Sequence, residues 1–146
     1  MGERIPIGSD HAGFQLKEII KGALRKRGFE PDDVGTASEE SVDYPDFAKR
    51  VAQQVSDGTA TRGILMCGTG LGMACAANRF PHVRAAVAWT PEIAELSRRH
   101  NNANVLALPA RFLNSEDGVR ILERWLETPF EGGRHERRVE KIEVGE

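Results

Sequence analysis

The chain alternates short apolar runs with longer stretches in which apolar residues recur every three or four positions. The first run, Arg4-Ile5-Pro6-Ile7-Gly8, gives way after Asp10 to a stripe at Phe14, Leu16, Ile19, Ile20, Ala23 and Leu24. That pattern predicts strand, turn and amphipathic helix, closed near Arg27-Gly28, where basic residues precede a glycine. Pro6 is unusual in a strand because it cannot donate to a ladder. A weaker strand is expected over 29–34 and a polar loop over 35–44, then a helix from Pro45 carrying Phe47, Ala48, Val51, Ala52 and Val55. Gly63-Ile64-Leu65-Met66-Cys67 is the clearest strand, stopped by Gly68-Thr69-Gly70-Leu71-Gly72, with a helix expected over 73–78. Residues 83–89 form another apolar run, and Thr90-Pro91 open a helix through Ile93, Ala94 and Leu96 to His100. A fifth strand is expected over 105–108, and Val119, Leu122, Trp125 and Leu126 mark a last core helix. Unalternated apolar runs suit parallel strands covered on both faces. Strands and helices in strict alternation predict one α/β layer sandwich around a mostly parallel, five-stranded sheet.

The tail differs in kind. Gly132-Gly133 breaks the chain, and residues 134–141 hold too few apolar side chains for a core element. Residues 1–131 are therefore expected to form a single domain, and 132–146 a solvated appendage or an arm that docks.

Length agrees, since 146 residues is the usual size of one domain and suffices for a core without crosslinks. Twenty Lys and Arg against 22 Asp and Glu leave a net charge of −2, so no global field marks a nucleic-acid or membrane-surface binder. Any anion recognition must be local. Cys67 and Cys75 are the only cysteines, no C-x-x-C pair or apolar leader is present, and a reducing cytoplasm is the expected location. No stretch approaches the roughly 18 apolar residues of a membrane span.

In open parallel sheets ligands sit beyond the carboxyl ends of the strands. Asp10, His11, Cys67 and Arg111 fall just past strand ends, and with Thr69 and the helix-end His100 they make a candidate cluster. The strongest local signal is Cys67-Gly68-Thr69-Gly70-Leu71-Gly72. Alternating glycines let backbone N–H groups converge on one anion, with a helix N-terminus behind them. The spacing G-x-G-x-G is not the dinucleotide fingerprint G-x-G-x-x-G, and no Gly-Lys-Ser/Thr makes it a P-loop. A cysteine-phosphatase loop would need an arginine near Met73. The same amides favour a thiolate at Cys67, although a small buried residue at a strand end is the competing reading. Cys75, inside the next helix without a polar companion, reads as core.

Asp10 followed by His11 also fits an ordinary helix cap, and His100 can simply complement a helix C-terminus. His82 beside Pro81 reads as loop surface. No Cys/His ligand spacing points to a metal. Arg134 and Arg138 share a helical face at i, i+4, beside His135; such a run is usually solvated, but two guanidiniums at that spacing can also grip a phosphate monoester.

Five ordered motifs carry a family resemblance: Gly8-Ser9-Asp10-His11-Ala12-Gly13-Phe14, Asp43-Tyr44-Pro45, Cys67-Gly68-Thr69-Gly70-Leu71-Gly72, Arg99-His100-Asn101-Asn102-Ala103-Asn104 and Phe130-Glu131-Gly132-Gly133-Arg134-His135. Together they resemble the type B ribose-5-phosphate isomerases of the ribose/galactose isomerase family. The resemblance implies a Rossmann-like α/β/α homodimer or dimer of dimers, without cofactor or metal, acting on a small sugar phosphate of the pentose phosphate pathway. It assigns Cys67 as the base moving a proton between C1 and C2, Thr69 as a proton shuttle, and His100 with Asp10 as the ring-opening pair. The amides of Gly68, Gly70, Leu71 and Gly72 and the side chain of Asn101 would hold the enediolate, and Tyr44 would line the sugar pocket. His11 and Arg111 would bind phosphate from one subunit, Arg134 and Arg138 from its neighbour, so that residues 132–146 contact the partner.

Two positions depart from the family pattern. Some members lack the cysteine and carry a glutamate where Met73 stands, which places this chain in the cysteine-base subgroup; Ser9 stands where others often have cysteine. An isomerase of a six-carbon sugar phosphate (galactose 6-phosphate or allose 6-phosphate) and a non-catalytic sugar-phosphate-binding module are the alternatives.

Overall fold

The computed structural model describes residues 2–145; Met1 and Glu146, end points of the expected domain and arm, lie outside the described residues. The elements are β1 (Arg4–Ser9), a 3-10 turn (His11–Gly13), α1 (Phe14–Lys26), β2 (Glu30–Asp33), α2 (Tyr44–Ser56), β3 (Gly63–Cys67) and α3 (Leu71–Ala77). There follow β4 (Ala85–Val87), α4 (Pro91–Asn101), β5 (Val105–Pro109), a second 3-10 turn (Ala110–Phe112), α5 (Ser115–Glu127) and α6 (Arg134–Glu140). Every strand pairing is parallel, in the order β2-β1-β3-β5-β4.

Alternation along the strands sorts the core into two layers. Ile5, Ile7, Ile64, Met66, Leu106 and Leu108 pack against α1, α4 and α5, with Trp125 fully buried among them. Leu65, Cys67 and Val105 face the other way, onto Phe47, Ala48, Val51 and Ala52 of α2 and Met73 and Ala77 of α3. The architecture is the expected Rossmann-like α/β/α sandwich. Pro6 is accommodated because the pairing of β1 with β3 begins only at Ile7.

Two local expectations shift. The run over 83–89 yields only a three-residue edge strand, because side-chain amides take over below it. The Arg84 N–H donates to Asn104 Oδ1 (2.7 Å) and the Ala85 N–H to Asn78 Oδ1 (2.7 Å). Cys75, read as core, is exposed; the short α3 buries Met73, Ala74 and Ala77 and turns position 75 outward. The tail folds as α6 and contacts α4 of its own chain.

The end of β2 is pinned by a buried cation. The Lys17 side chain, 1% exposed, sits 2.6 Å from both Asp33 carboxylate oxygens and donates to the Thr36 carbonyl at 2.8 Å. Partial burial alone would raise the Asp33 pKa, but Lys17, Lys21 and the Gly35 N–H outweigh it and hold the carboxyl below its usual range. A depressed folded-state pKa stabilises the fold above the unfolded value, about 3.8, and that contribution is lost as the pH falls through the folded pKa. Asp33→Asn, which strands the Lys17 ammonium, should cost about 3 kcal/mol at pH 7. Urea unfolding at pH 7 and pH 3 checks this: the gap between variant and wild type should shrink at the lower pH.

Candidate active site

The sheet order creates the site. From β1 the chain turns to β2 on one side, and from β3 it turns toward β4 on the other, which opens a crevice above the carboxyl ends of β1 and β3. Beyond β1, Asp10 caps the first 3-10 turn, its Oδ1 accepting from the N–H groups of Ala12 (3.0 Å) and Gly13 (3.2 Å). The capping reading of Asp10 is therefore correct, and it fixes a carboxylate at the crevice floor. Gly13 is required there, since a Cβ would lie 2.7 Å from Met66 of β3. His11 is oriented by the loop after β2: its Nδ1 accepts from the Val42 N–H at 3.2 Å. In the neutral ring that bond leaves the proton on Nε2, so His11 presents a donor on its other edge.

Beyond β3, Cys67 is 4% exposed and its Sγ accepts from the Gly70 N–H at 3.2 Å. Gly70 sits at φ +77°, where a Cβ would also crowd the Leu108 backbone at 3.2 Å. The left-handed residue turns its amide back onto the sulfur and starts α3. Thr69 Oγ1 accepts from the Leu71 N–H at 3.2 Å. The Tyr44 ring, at the start of α2, lies against Gly72, where an added Cβ would come within 2.6 Å of the ring. From the far side the Arg111 N–H donates to the Gly68 carbonyl (3.0 Å), and its guanidinium lies along Gly68, 3.1 Å from where a Cβ would stand. Among the described residues Arg111 has no salt bridge. Asp10, His11, Tyr44, Cys67, Thr69 and Arg111 thus surround one amide-lined loop: a thiol, a hydroxyl, an imidazole, a carboxylate and a guanidinium converge on a surface able to hold an oxyanion.

His100 is not among them. It occupies the last turn of α4, which runs back down the sheet, and the chain re-enters the sheet where Asn104 accepts from the Gly63 N–H. Cys67 pairs with Pro109 at the other end of β5. The five-residue strand separates these ends by about 15 Å, so His100 and Asn101 lie at the lower edge of their own sheet, opposite Cys67. This corrects the expected cluster; a residue at a helix end belongs to the opposite sheet edge from a residue at a strand end. Arg134 and Arg138 are exposed on α6 at the same lower edge, and neither has a salt bridge among the described residues.

Two members of this second group, Glu131 and His135, stand in the fifth motif without a role that the sequence assigns. His135, 7% exposed, stacks on His100 with ring centroids 4.3 Å apart and planes 12° from parallel, and Glu131 Oε1 lies 3.7 Å from its Nε2. The signal was present in Gly132-Gly133-Arg134-His135: on a helix, His135 falls on a different face from Arg134 and Arg138. His100, Glu131 and His135 are the one set among the described residues whose ligand atoms gather closely enough, within 4.8 Å, to hold a metal. The stack opposes it, because a ring-nitrogen lone pair lies in its ring plane and one cation cannot lie in two stacked planes. Burial, the neighbouring His100 and the Arg134 guanidinium push the His135 pKa down, against Glu131.

Known proteins share this fold and much of this sequence. The profile of the Ribose/Galactose Isomerase family matches residues 5–142. The ribose-5-phosphate isomerase B of Escherichia coli is 47% identical over 140 residues, covering 96% of this chain and 94% of that one. The crystal structure of a ribose 5-phosphate isomerase from Thermotoga maritima superposes with a TM-score of 0.94 at 53% identity, covering 98% of this chain and 99% of the other. That of the Mycoplasma genitalium ribose-5-phosphate isomerase B, with ribulose-5-phosphate bound, gives 0.93 at 43% identity, over 97% and 95% of the two chains. The profile match over residues 5–142 and the near-full-length similarity show that the chain belongs to the ribose/galactose isomerase family.

Proposed function

We propose that the protein interconverts ribose 5-phosphate and ribulose 5-phosphate through an enediolate, as a homodimer whose sites each draw on both subunits. The observation that carries this reading is Cys67 Sγ held under the amides of the loop over 68–72, with Gly70 N–H 3.2 Å away and Arg111 alongside. In the aldose direction the Cys67 thiolate removes the proton from C2. The electron pair moves into the C1–C2 bond, and negative charge builds on the former carbonyl oxygen. The loop amides and the side chain of Asn101 from the partner subunit stabilise that charge. The thiol returns its proton to C1 while Thr69 relays a proton between the two oxygens, and the thiolate is regenerated. His11 and Arg111 hold the phosphate, whose binding energy positions carbons that it does not itself touch.

The two edges of the sheet support the shared site. The upper edge carries the base but no ring-opening histidine; the lower edge carries His100, Asn101 and two arginines without carboxylate partners. Leu71 (54% exposed), Trp89 (44%) and Phe112 (60%) form an apolar collar around the upper edge, of the kind a second subunit covers. Two-fold pairing that sets each upper edge against the other subunit's lower edge completes two sites at once. His100 then reaches the sugar of its partner's site and, with Asp10 there, opens the furanose.

Turnover of ribose 5-phosphate by the purified protein with excess chelator tests the reading. The expected result is chelator-resistant formation of ribulose 5-phosphate; binding without turnover would leave a binding module, and turnover of galactose or allose 6-phosphate alone would move the assignment to six-carbon sugars. Ring opening has its own signature. His100→Asn should lower kcat for ribose 5-phosphate far more than kcat for acyclic ribulose 5-phosphate. The comparison is made at saturation, because the equilibrium constant fixes the ratio of the two kcat/KM values. Equal loss in both directions would contradict a dedicated opening role.

A further inference from the structure

The His100 ring has a built support. His135 lies flat beneath it at 4.3 Å, and the support is itself braced through a run of ion pairs that links α5, α4 and the turn before α6. Arg124 of α5 donates to Glu95 (2.9 Å), which also accepts from Arg99 (3.1 Å); Arg99 in turn donates to Glu131 (3.1 Å), and the Glu131 N–H donates to the Arg99 carbonyl (3.1 Å). Glu131 and the turn Gly132-Gly133 then set the start of α6, where the His135 N–H donates to the Gly132 carbonyl (3.1 Å). His135 Nε2 is buried and has no hydrogen-bond partner. A buried imidazole that makes no hydrogen bond through that nitrogen is not there to satisfy the fold, since such a group costs stability unless it serves something else.

We propose that His135 is a positioning residue for His100: its ring is the platform that holds the His100 imidazole at the angle needed to reach a sugar ring in the partner subunit's site. The assignment rests on the ring-opening reading of His100 given above. His100 sits in the terminal turn of a helix, half-exposed, with neighbouring Asn101 exposed; without a platform its side chain would sample several rotamers. Proton transfer demands tighter placement than a partly exposed side chain in a last helical turn has by itself, even where Asn102 caps the backbone, and misplacement by 1 Å can cost about 100-fold in rate. Stacking fixes the plane of the ring while leaving its nitrogens open for hydrogen bonds. Burial, the neighbouring His100 and the Arg134 and Arg138 guanidiniums push the His135 pKa down, which disfavours a charged ring directly beneath His100.

A purely structural role makes a different forecast. His135 stands between Arg134 and Arg138 on α6, so loosening the helix would weaken the phosphate grip, which both substrates need, and would raise KM in both directions. Loss of the platform instead strikes the opening of the cyclic aldose. The test therefore compares His135→Leu, which fills the space without a flat face, with His135→Phe, which restores a ring but no nitrogen. His135→Leu should lower kcat for ribose 5-phosphate roughly tenfold more than kcat for ribulose 5-phosphate. His135→Phe should return the ratio of the two kcat values to within about twofold of wild type, because the nitrogen it removes makes no hydrogen bond. In the His100→Asn background His135→Leu should leave the ratio unchanged, as expected of residues acting as one unit. If His100→Asn is directional but His135→Leu is not, or if His135→Phe fails like the leucine variant, the platform assignment falls and ring opening stands. If His100→Asn itself lacks direction, the ring-opening reading falls, and this assignment with it.

Discussion

Replacing Cys67 by alanine is expected to cut kcat by roughly 10²–10⁴-fold, the usual worth of a positioned general base, while KM changes little. Cys67 is the last residue of β3, its sulfur faces the crevice side occupied by α2 and α3, and Gly70 returns an N–H to it at 3.2 Å. No other group at the upper edge can take its place. Asp10 Oδ1 is engaged in capping, and the His11 Nδ1 accepts a backbone bond, leaving a donor rather than a base. The phosphate contacts proposed for His11 and Arg111 do not involve the thiol, so substrate should still bind. Cys75→Ala is the control: that thiol is exposed on α3 and outside the loop, and its loss should leave kcat unchanged. Steady-state kinetics on both variants, with folding checked by circular dichroism, decide the point. Near-normal turnover by a folded Cys67→Ala protein would remove the thiol from the mechanism.

The sequence was most legible where one physical requirement dominated. Apolar runs stopped by glycine gave β1 and β3, and the ends of those strands gave Asp10, His11, Cys67 and Thr69 because ligands gather at strand carboxyl ends. Edge strand β4 was overdrawn, since Asn78 and Asn104 replace ladder bonds with side-chain amides and no periodicity reveals that. Cys75 was misread because a seven-residue helix buries only part of its surface, and composition does not say which part. His100 was placed with the strand-end residues although it closes a helix that runs antiparallel to them. The direction of α4 along the sheet instead puts His100 at the opposite edge from Cys67. The α6 platform was hidden for another reason: the tail has too few apolar residues to announce a docked helix, and it packs through a stacked histidine and ion pairs rather than an apolar stripe.

A site shared between subunits predicts that two impaired variants rescue one another when mixed. Cys67→Ala lacks the base at the upper edge. On the proposed reading, Arg138→Ala loses a phosphate contact from the lower edge, a charge-assisted bond worth about 1.5–3 kcal/mol, or roughly 10- to 150-fold in kcat/KM. In a mixed dimer whose sites each combine one upper and one lower edge from different chains, one site carries both lesions and the other carries neither. Subunit exchange at equal amounts makes about half the dimers mixed, each with one intact site of two, so activity should rise to roughly a quarter of wild type. With exchange verified by mass spectrometry of the intact dimers, recovery near that level is the predicted result. If instead mixing restores nothing, every site carries a lesion, Arg138 serves its own chain's Cys67, and the shared site is wrong.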